Sequence, residues 1–231
     1  MRQLDQSGFV IHARDYGETS QIVDMLTRTH GRISAVHKGA RQRRKGGGGR
    51  LQPFTSYGVG WSGRSQLKTL INVEAGCSYT LFDKSLAAGF YINELIWYLI
   101  QHEDECAGIF DAYEVCLREL VEQPESIEPA LRKFEKKLLD DLGYSPQWDF
   151  EAASGEPIEP NKTYYFRFGE GFYTEPGEEG DLAVKGTDIF AIANGNYAEG
   201  RTLGIAKRLF RHALAVLLNG RELQSRKMIT G

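Results

Sequence analysis

Cysteine is scarce. Only Cys77, Cys106 and Cys116 occur in 231 residues, and none has CxxC spacing. An odd, scattered set excludes a disulfide framework. With a polar amino terminus that carries no secretory leader, it reads as a reduced cytosolic protein whose thiols are small buried side chains. Long apolar runs are missing as well. The longest, Leu86 to Ile100, is broken by Asn93 and Glu94 and is too short to cross a bilayer, so no membrane partner is expected. There is no GxxxxGK phosphate loop, HExxH helix or nucleophile elbow. No catalytic residue, cofactor or metal is therefore expected. Gly58-Val59-Gly60-Trp61-Ser62-Gly63 matches a dinucleotide fingerprint by letter but leads into a further strand instead of a helix. Glu103-Asp104-Glu105, beside His102 and Cys106, has no metal-ligand spacing and reads as a helix end running into a loop.

What the chain does have is ordinary globular composition, 41% hydrophobic and 26% charged, with the charge unevenly spread. Residues 1–72 carry twelve Lys and Arg against four acids, residues 73–200 nine against twenty-six, and residues 201–231 seven against one. Two basic ends flanking an acidic middle point to a polyanionic partner for the ends, because Lys and Arg neutralise phosphates.

Period-two alternation marks five strands in the first seventy-five residues, around Phe9–Ala13, Val23–Thr27, Ile33–His37, Tyr57–Trp61 and Thr69–Ala75. Five short antiparallel strands suit a small closed barrel of the OB type, although an SH3-like barrel or a small open sheet has the same periodicity. Between the third and fourth strands, Lys38 to Arg50 holds six basic residues and five glycines. Glycine leaves this loop free to adapt, and its arginines fork onto phosphates or stack on bases. Without a helix-turn-helix or zinc-finger pattern, a single strand is the better expected ligand than a sequence-read duplex.

Helical spacing follows. Residues 86–101 and 108–122 read as two helices. A third has an apolar stripe of Ile127, Leu131, Phe134, Leu138 and Leu142, with Ser126 as N-cap and Gly143 as stop. Opposite that stripe the spacing places Arg132, Lys133, Lys136 and Lys137, which either meet an acidic ligand or pair with Glu128, Asp140 and Asp141. Residues 145–200 are rich in Gly, Pro and acids, with a hairpin from Tyr164–Phe168 through Gly169-Glu170-Gly171 to Phe172-Tyr173. A last helix over Leu203–Leu218 buries Ala206, Leu209, Phe210, Ala213, Leu214 and Leu217.

Several short motifs occur in one order: Gly8-Phe9-Val10-Ile11-His12, Glu18-Thr19-Ser20, Gly31-Arg32, Lys38-Gly39-Ala40-Arg41, Leu51-Gln52-Pro53-Phe54, Gly63-Arg64 and Leu67-Lys68-Thr69. Tyr91-Ile92-Asn93-Glu94-Leu95, Leu131-Arg132-Lys133-Phe134-Glu135, Leu142-Gly143-Tyr144 and Ser225-Arg226 complete it. The combination resembles the bacterial RecO family of recombination mediators over essentially the whole chain. That resemblance implies an α+β protein with an OB-fold DNA-binding domain over 1–80 and a helical domain over 81–144. It further implies a zinc module over 145–200, degenerate and metal-free here because the paired cysteines are absent, and a basic C-terminal helix over 201–231 packing on the helical domain. It implies binding of single- and double-stranded DNA, annealing, and, with RecR, loading of RecA onto DNA covered by the single-stranded-DNA-binding protein SSB. The expected phosphate contacts are Arg14, Arg32, Lys38, Arg41, Arg43, Arg44, Lys45, Arg50 and Lys68. The acidic SSB tail is expected at Arg132, with Lys133 and Lys136 nearby. The rival classes are a general single-strand binder that does not anneal and a metal-dependent nuclease using the acidic middle.

Overall fold

A computed structural model describes residues 2–40, 49–177 and 181–229. Arg41, Arg43, Arg44 and Lys45 lie outside the described residues. All five expected strands are present: β1 (Arg2–Tyr16), β2 (Ser20–Thr27), β3 (Gly31–His37), β4 (Thr55–Ser62) and β5 (Leu67–Ser78). They close into a barrel in the order β1-β2-β3-β5-β4, with β1 also paired to β4 and β3 running parallel to β5. One long strand closes the circuit. The first part of β1 pairs with β4 and the later part with β2, and register shifts between Gln3 and Gln6 and between Val10 and His12 let it bend across the two neighbours. Val10, Val23, Met25, Ile33, Ala35, Val59 and Trp61 fill the interior. On the outer face of β1, Phe9 packs against Phe110 and Tyr113, with ring centroids 5.4 and 5.1 Å apart. This strand is therefore apolar on both faces around its middle. Gly58 to Ser62 belong to β4 and lead through Gly63 to β5, a strand–turn–strand context with no helix to receive a pyrophosphate.

Six helices occur among the described residues: α1 (Asp83–Leu99), α2 (Ala107–Glu122), α3 (Ile127–Asp141), α4 (Gly186–Ala193), α5 (Gly200–Leu218) and α6 (Gln224–Ile229). The α3 stripe is buried at Ile127, Leu131, Phe134 and Leu138. Gly143 ends that helix at φ +76°. Its N–H donates to the Asp140 carbonyl, and the Tyr144 N–H reaches back to Leu139, a Schellman stop that satisfies two terminal carbonyls. The hairpin is present as β6 (Thr163–Arg167) and β7 (Gly171–Tyr173), and β8 (Leu182–Lys185) adds to the other edge of β6. The sequence reading did not place β8, α4 or α6, each of which is eight residues or shorter. In α5 it is Leu218, not Leu217, that is fully buried. Cys106 and Cys116 are buried as expected, whereas Cys77 is exposed, because the second half of β5 extends past the barrel interior with its side chains in solvent.

The chain divides into two compact units, residues 1–127 with 222–231, and residues 128–221. The carboxyl terminus thus returns to the unit that holds the barrel, where α6 packs on α1. Two glycines show how closely the first unit is assembled. A Cβ on Gly89 would stand 2.6 Å from Leu81 and 2.9 Å from the Phe54 ring, so only glycine lets α1 approach that segment. The loop after α1 lies along β3, with the Glu103 N–H donating to the Arg32 carbonyl at 2.9 Å, and Gly31 leaves no room for a side chain against it.

Candidate nucleic-acid interface

One end of the barrel carries three exposed cations, while Arg2, Arg28 and Arg64 are exposed elsewhere on it. In the β1–β2 register Arg14 lies opposite Ile22 and Tyr16 opposite Ser20, so both sit beside the connecting turn. His37 at the end of β3 pairs with Gln21, which brings Lys38 to the same end. Arg50 joins them through a 2.8 Å bond from its guanidinium to Asp15 Oδ2. The returning chain is held by Gln21, whose Oε1 accepts the Leu51 N–H and whose Nε2 donates to the Leu51 carbonyl. Tyr57 holds it too, its hydroxyl accepting the Gln52 N–H at 2.8 Å. Arg14, Lys38 and Arg50 are exposed, and so is Tyr16 at 52%. The Arg50–Asp15 pair is itself exposed and so is weak enough to be exchanged for a phosphate. Tyr16, an aromatic platform at a cationic end, was not singled out from sequence. An aromatic residue at a strand end beside a Gly-containing turn is the signal that could have found it.

Arg32 and Lys68 are placed differently. Arg32 Nε donates to the Ile100 carbonyl at 2.9 Å and its guanidinium lies 4.0 Å from Asp24. Lys68 is buried, with its ammonium 2.5 Å from Glu103 Oε1. Both cations tie the loop after α1 to the barrel wall. The hydrogen bond from Lys68 holds the Glu103 carboxyl below the usual glutamate range against a smaller opposing effect of burial. Asp24 is the negative centre beside Arg32. Burial pushes its pKa up, but hydrogen bonds to His12 and Ser34 and the charge of Arg32 together hold it below the ordinary value near 3.8. A depressed folded pKa contributes stability that is present above the unfolded value and is lost as pH falls through the folded one. Asp24→Asn is thus expected to flatten the acid limb of the barrel's stability curve below about pH 4, measured by urea unfolding across pH. An unchanged acid limb would remove Asp24 from the account.

In the second unit the cations of α3 have partners. Lys136 binds Asp140 at 2.8 Å and Lys137 binds Asp141, with Lys133 exposed beside them. Arg132 is not on the solvent face that its spacing suggested. It is 5% exposed, its guanidinium lies 2.7 Å from the buried Glu135 carboxylate and 3.9 Å from Glu128, and its carbonyl accepts from the Tyr197 hydroxyl at 3.5 Å. Burial and the neighbouring Glu135 charge raise the Tyr197 pKa strongly, so that hydroxyl stays neutral. Lys207 on α5 binds Glu128 at 2.6 Å. Among the described residues no three His, Cys, Asp or Glu side chains are grouped to hold a metal ion, and no helix is long and apolar enough to cross a membrane.

A closed five-stranded barrel, followed in the chain by helices and a small three-stranded sheet, places the chain among α+β proteins built on a small barrel. Residues 1–79 match the family described as Recombination protein O N terminal, and residues 84–226 match Recombination protein O C terminal. The chain belongs to the RecO family. Similar proteins called DNA repair protein RecO come from Methylococcus capsulatus (40% identical over 98% of this chain and 93% of that one) and Hahella chejuensis (40% identical over 97% and 94%). A third, from Actinobacillus pleuropneumoniae serotype 5b, is 39% identical over 96% and 92%.

Proposed function

We propose that this chain is a non-enzymatic recombination mediator of DNA repair, with an OB-type barrel that binds single- and double-stranded DNA and anneals complementary strands. The observation that carries this reading is the convergence of Arg14, Lys38 and Arg50 on one barrel end, next in sequence to the Gly-rich basic stretch. Cations there neutralise two phosphate backbones at once. The repulsion between approaching strands falls, and pairing proceeds with no nucleotide hydrolysed. The family resemblance adds RecR, and through it RecA, as partners on SSB-covered DNA. It also assigns the acidic SSB tail to the α3 region, where the exposed Lys133 and the Asp140-paired Lys136 would meet it alongside Arg132. The sheet of residues 145–200 is the metal-free counterpart of the family's zinc module, and the cytoplasm, at the nucleoid, is the place of action.

The decisive experiment is annealing of SSB-coated complementary oligonucleotides without ATP or divalent metal. Annealing faster than the protein-free control supports a mediator. Binding without annealing leaves a plain single-strand binder, and degradation in magnesium points to the nuclease class. The interface has its own test. The triple variant Arg14→Ala, Lys38→Ala, Arg50→Ala should lower the slope of log affinity against log salt by about 2 on single-stranded DNA, at roughly 0.7 per phosphate contact. An unchanged slope would place the phosphates elsewhere.

A further inference from the structure

A groove of about 480 Å³ runs beside the cationic end of the first unit, between the inner part of β1, the Arg50–Pro53 segment, α1 and the returning α6. Its walls are largely apolar and aromatic. Phe90 and Pro53 line it, and Trp97 is held flat against His12 with ring centroids 4.5 Å apart and planes 9° from parallel. Arg50 stands at its rim, exposed. Two polar features fix what the groove accepts. Asn93 is 2% exposed and lends Oδ1 to the Tyr113 hydroxyl at 2.7 Å, yet its Nδ2 has no hydrogen-bond partner. That nitrogen is itself covered by its surroundings, so the groove offers a ligand no amide donor from Asn93. Glu94, the other polar side chain of α1 in the groove, already has both carboxylate oxygens occupied by the Gln224 and Ser225 backbone N–H groups at 3.0 Å. Its negative charge keeps an anion out of the interior, while Arg50 attracts one at the mouth.

A flat, uncharged group tethered to an anion meets these conditions. We propose that the groove takes an unstacked nucleobase of single-stranded DNA. The base adds to the His12–Trp97 ring pair, with the adjoining phosphate on Arg50. This rests on the DNA-binding reading above and extends it from backbone contact to base capture. A groove that holds bases out of the stack presents a strand unpaired and ready to meet its complement.

The test compares oligodeoxythymidine with an abasic strand of equal length at one salt concentration. Wild-type protein should bind the base-bearing strand roughly tenfold more tightly, as one or two stacked bases give. Trp97→Ala should reduce that preference several-fold while abasic binding stays as in wild type, which also shows that the variant is folded. A preference unchanged in Trp97→Ala overturns the proposal, as does wild type that binds both strands equally. Failure to bind either strand at low salt would instead overturn the DNA-binding reading itself. Photocrosslinking of wild type to a strand carrying 5-iododeoxyuridine needs no variant. Crosslinks at Trp97 or His12 support the groove, and crosslinks confined to Tyr16 overturn it.

Discussion

Gly31→Ala is expected to destabilise the first unit by about 3–5 kcal/mol, near the upper end of single-substitution effects. Two costs combine there. Gly31 has φ +56°, where an L side chain costs on the order of 1–2 kcal/mol. Its added Cβ would also stand 1.8 Å from the Asp104 carbonyl oxygen and 2.7 Å from the Asp104 carbonyl carbon. Backbone atoms cannot rotate aside, so the 100–105 segment must lift from β3. It would take with it the Glu103–Arg32 backbone bond and the Lys68–Glu103 ion pair. Gly17 supplies the control, since it has φ +59° with nothing within 4 Å of a Cβ. Gly17→Ala should therefore incur only the backbone term, about 1 kcal/mol. Chemical denaturation of both variants separates the terms. If the two cost the same, the loop does not lie against β3 as described.

The second large effect concerns Arg132. Removing one partner of a buried ion pair leaves the other charge uncompensated, so Arg132→Ala and Glu135→Ala should each cost about 3–5 kcal/mol in the second unit. The apolar double variant Arg132→Met, Glu135→Leu removes both charges together and should regain most of that loss. Thermal unfolding of the four proteins tests this, and a double variant as unstable as the sum of the singles would refute the pairing. The same double variant separates structure from recognition. If Arg132 meets the SSB tail, the folded double variant loses tail binding and keeps its affinity for naked DNA. If it retains tail binding, the role belongs to Lys133 and Lys136 without Arg132.

Local periodicity made much of the architecture readable. The five alternating stretches became the five barrel strands because each turns one face into the barrel interior, and the α3 stripe and its Gly143 stop follow from spacing and contacts local to that helix. The short elements β8, α4 and α6 escaped because so few residues carry too little pattern, and packing rather than propensity decides whether they form. Arg132 escaped for a different reason. Charge at helical spacing predicts a solvent face, but Glu135 one turn on gives that charge a partner inside the fold.

The candidate site divides in the same way. Sequence by itself determined that the amino-terminal part is a small β structure with excess cations, since strand alternation and local charge density are properties of neighbouring residues. It also marked the basic Gly-rich stretch, and motif order marked the family. Tertiary structure alone decided which cations are available. Lys68 and Arg32 are engaged by Glu103, the Ile100 carbonyl and Asp24, residues far away in sequence for all but the last. Tertiary structure alone also set Asn93, Trp97 and His12 around one groove and closed its side with the last helix. Burial and pairing depend on chain segments tens to more than a hundred residues apart, and no local pattern encodes which of them will meet.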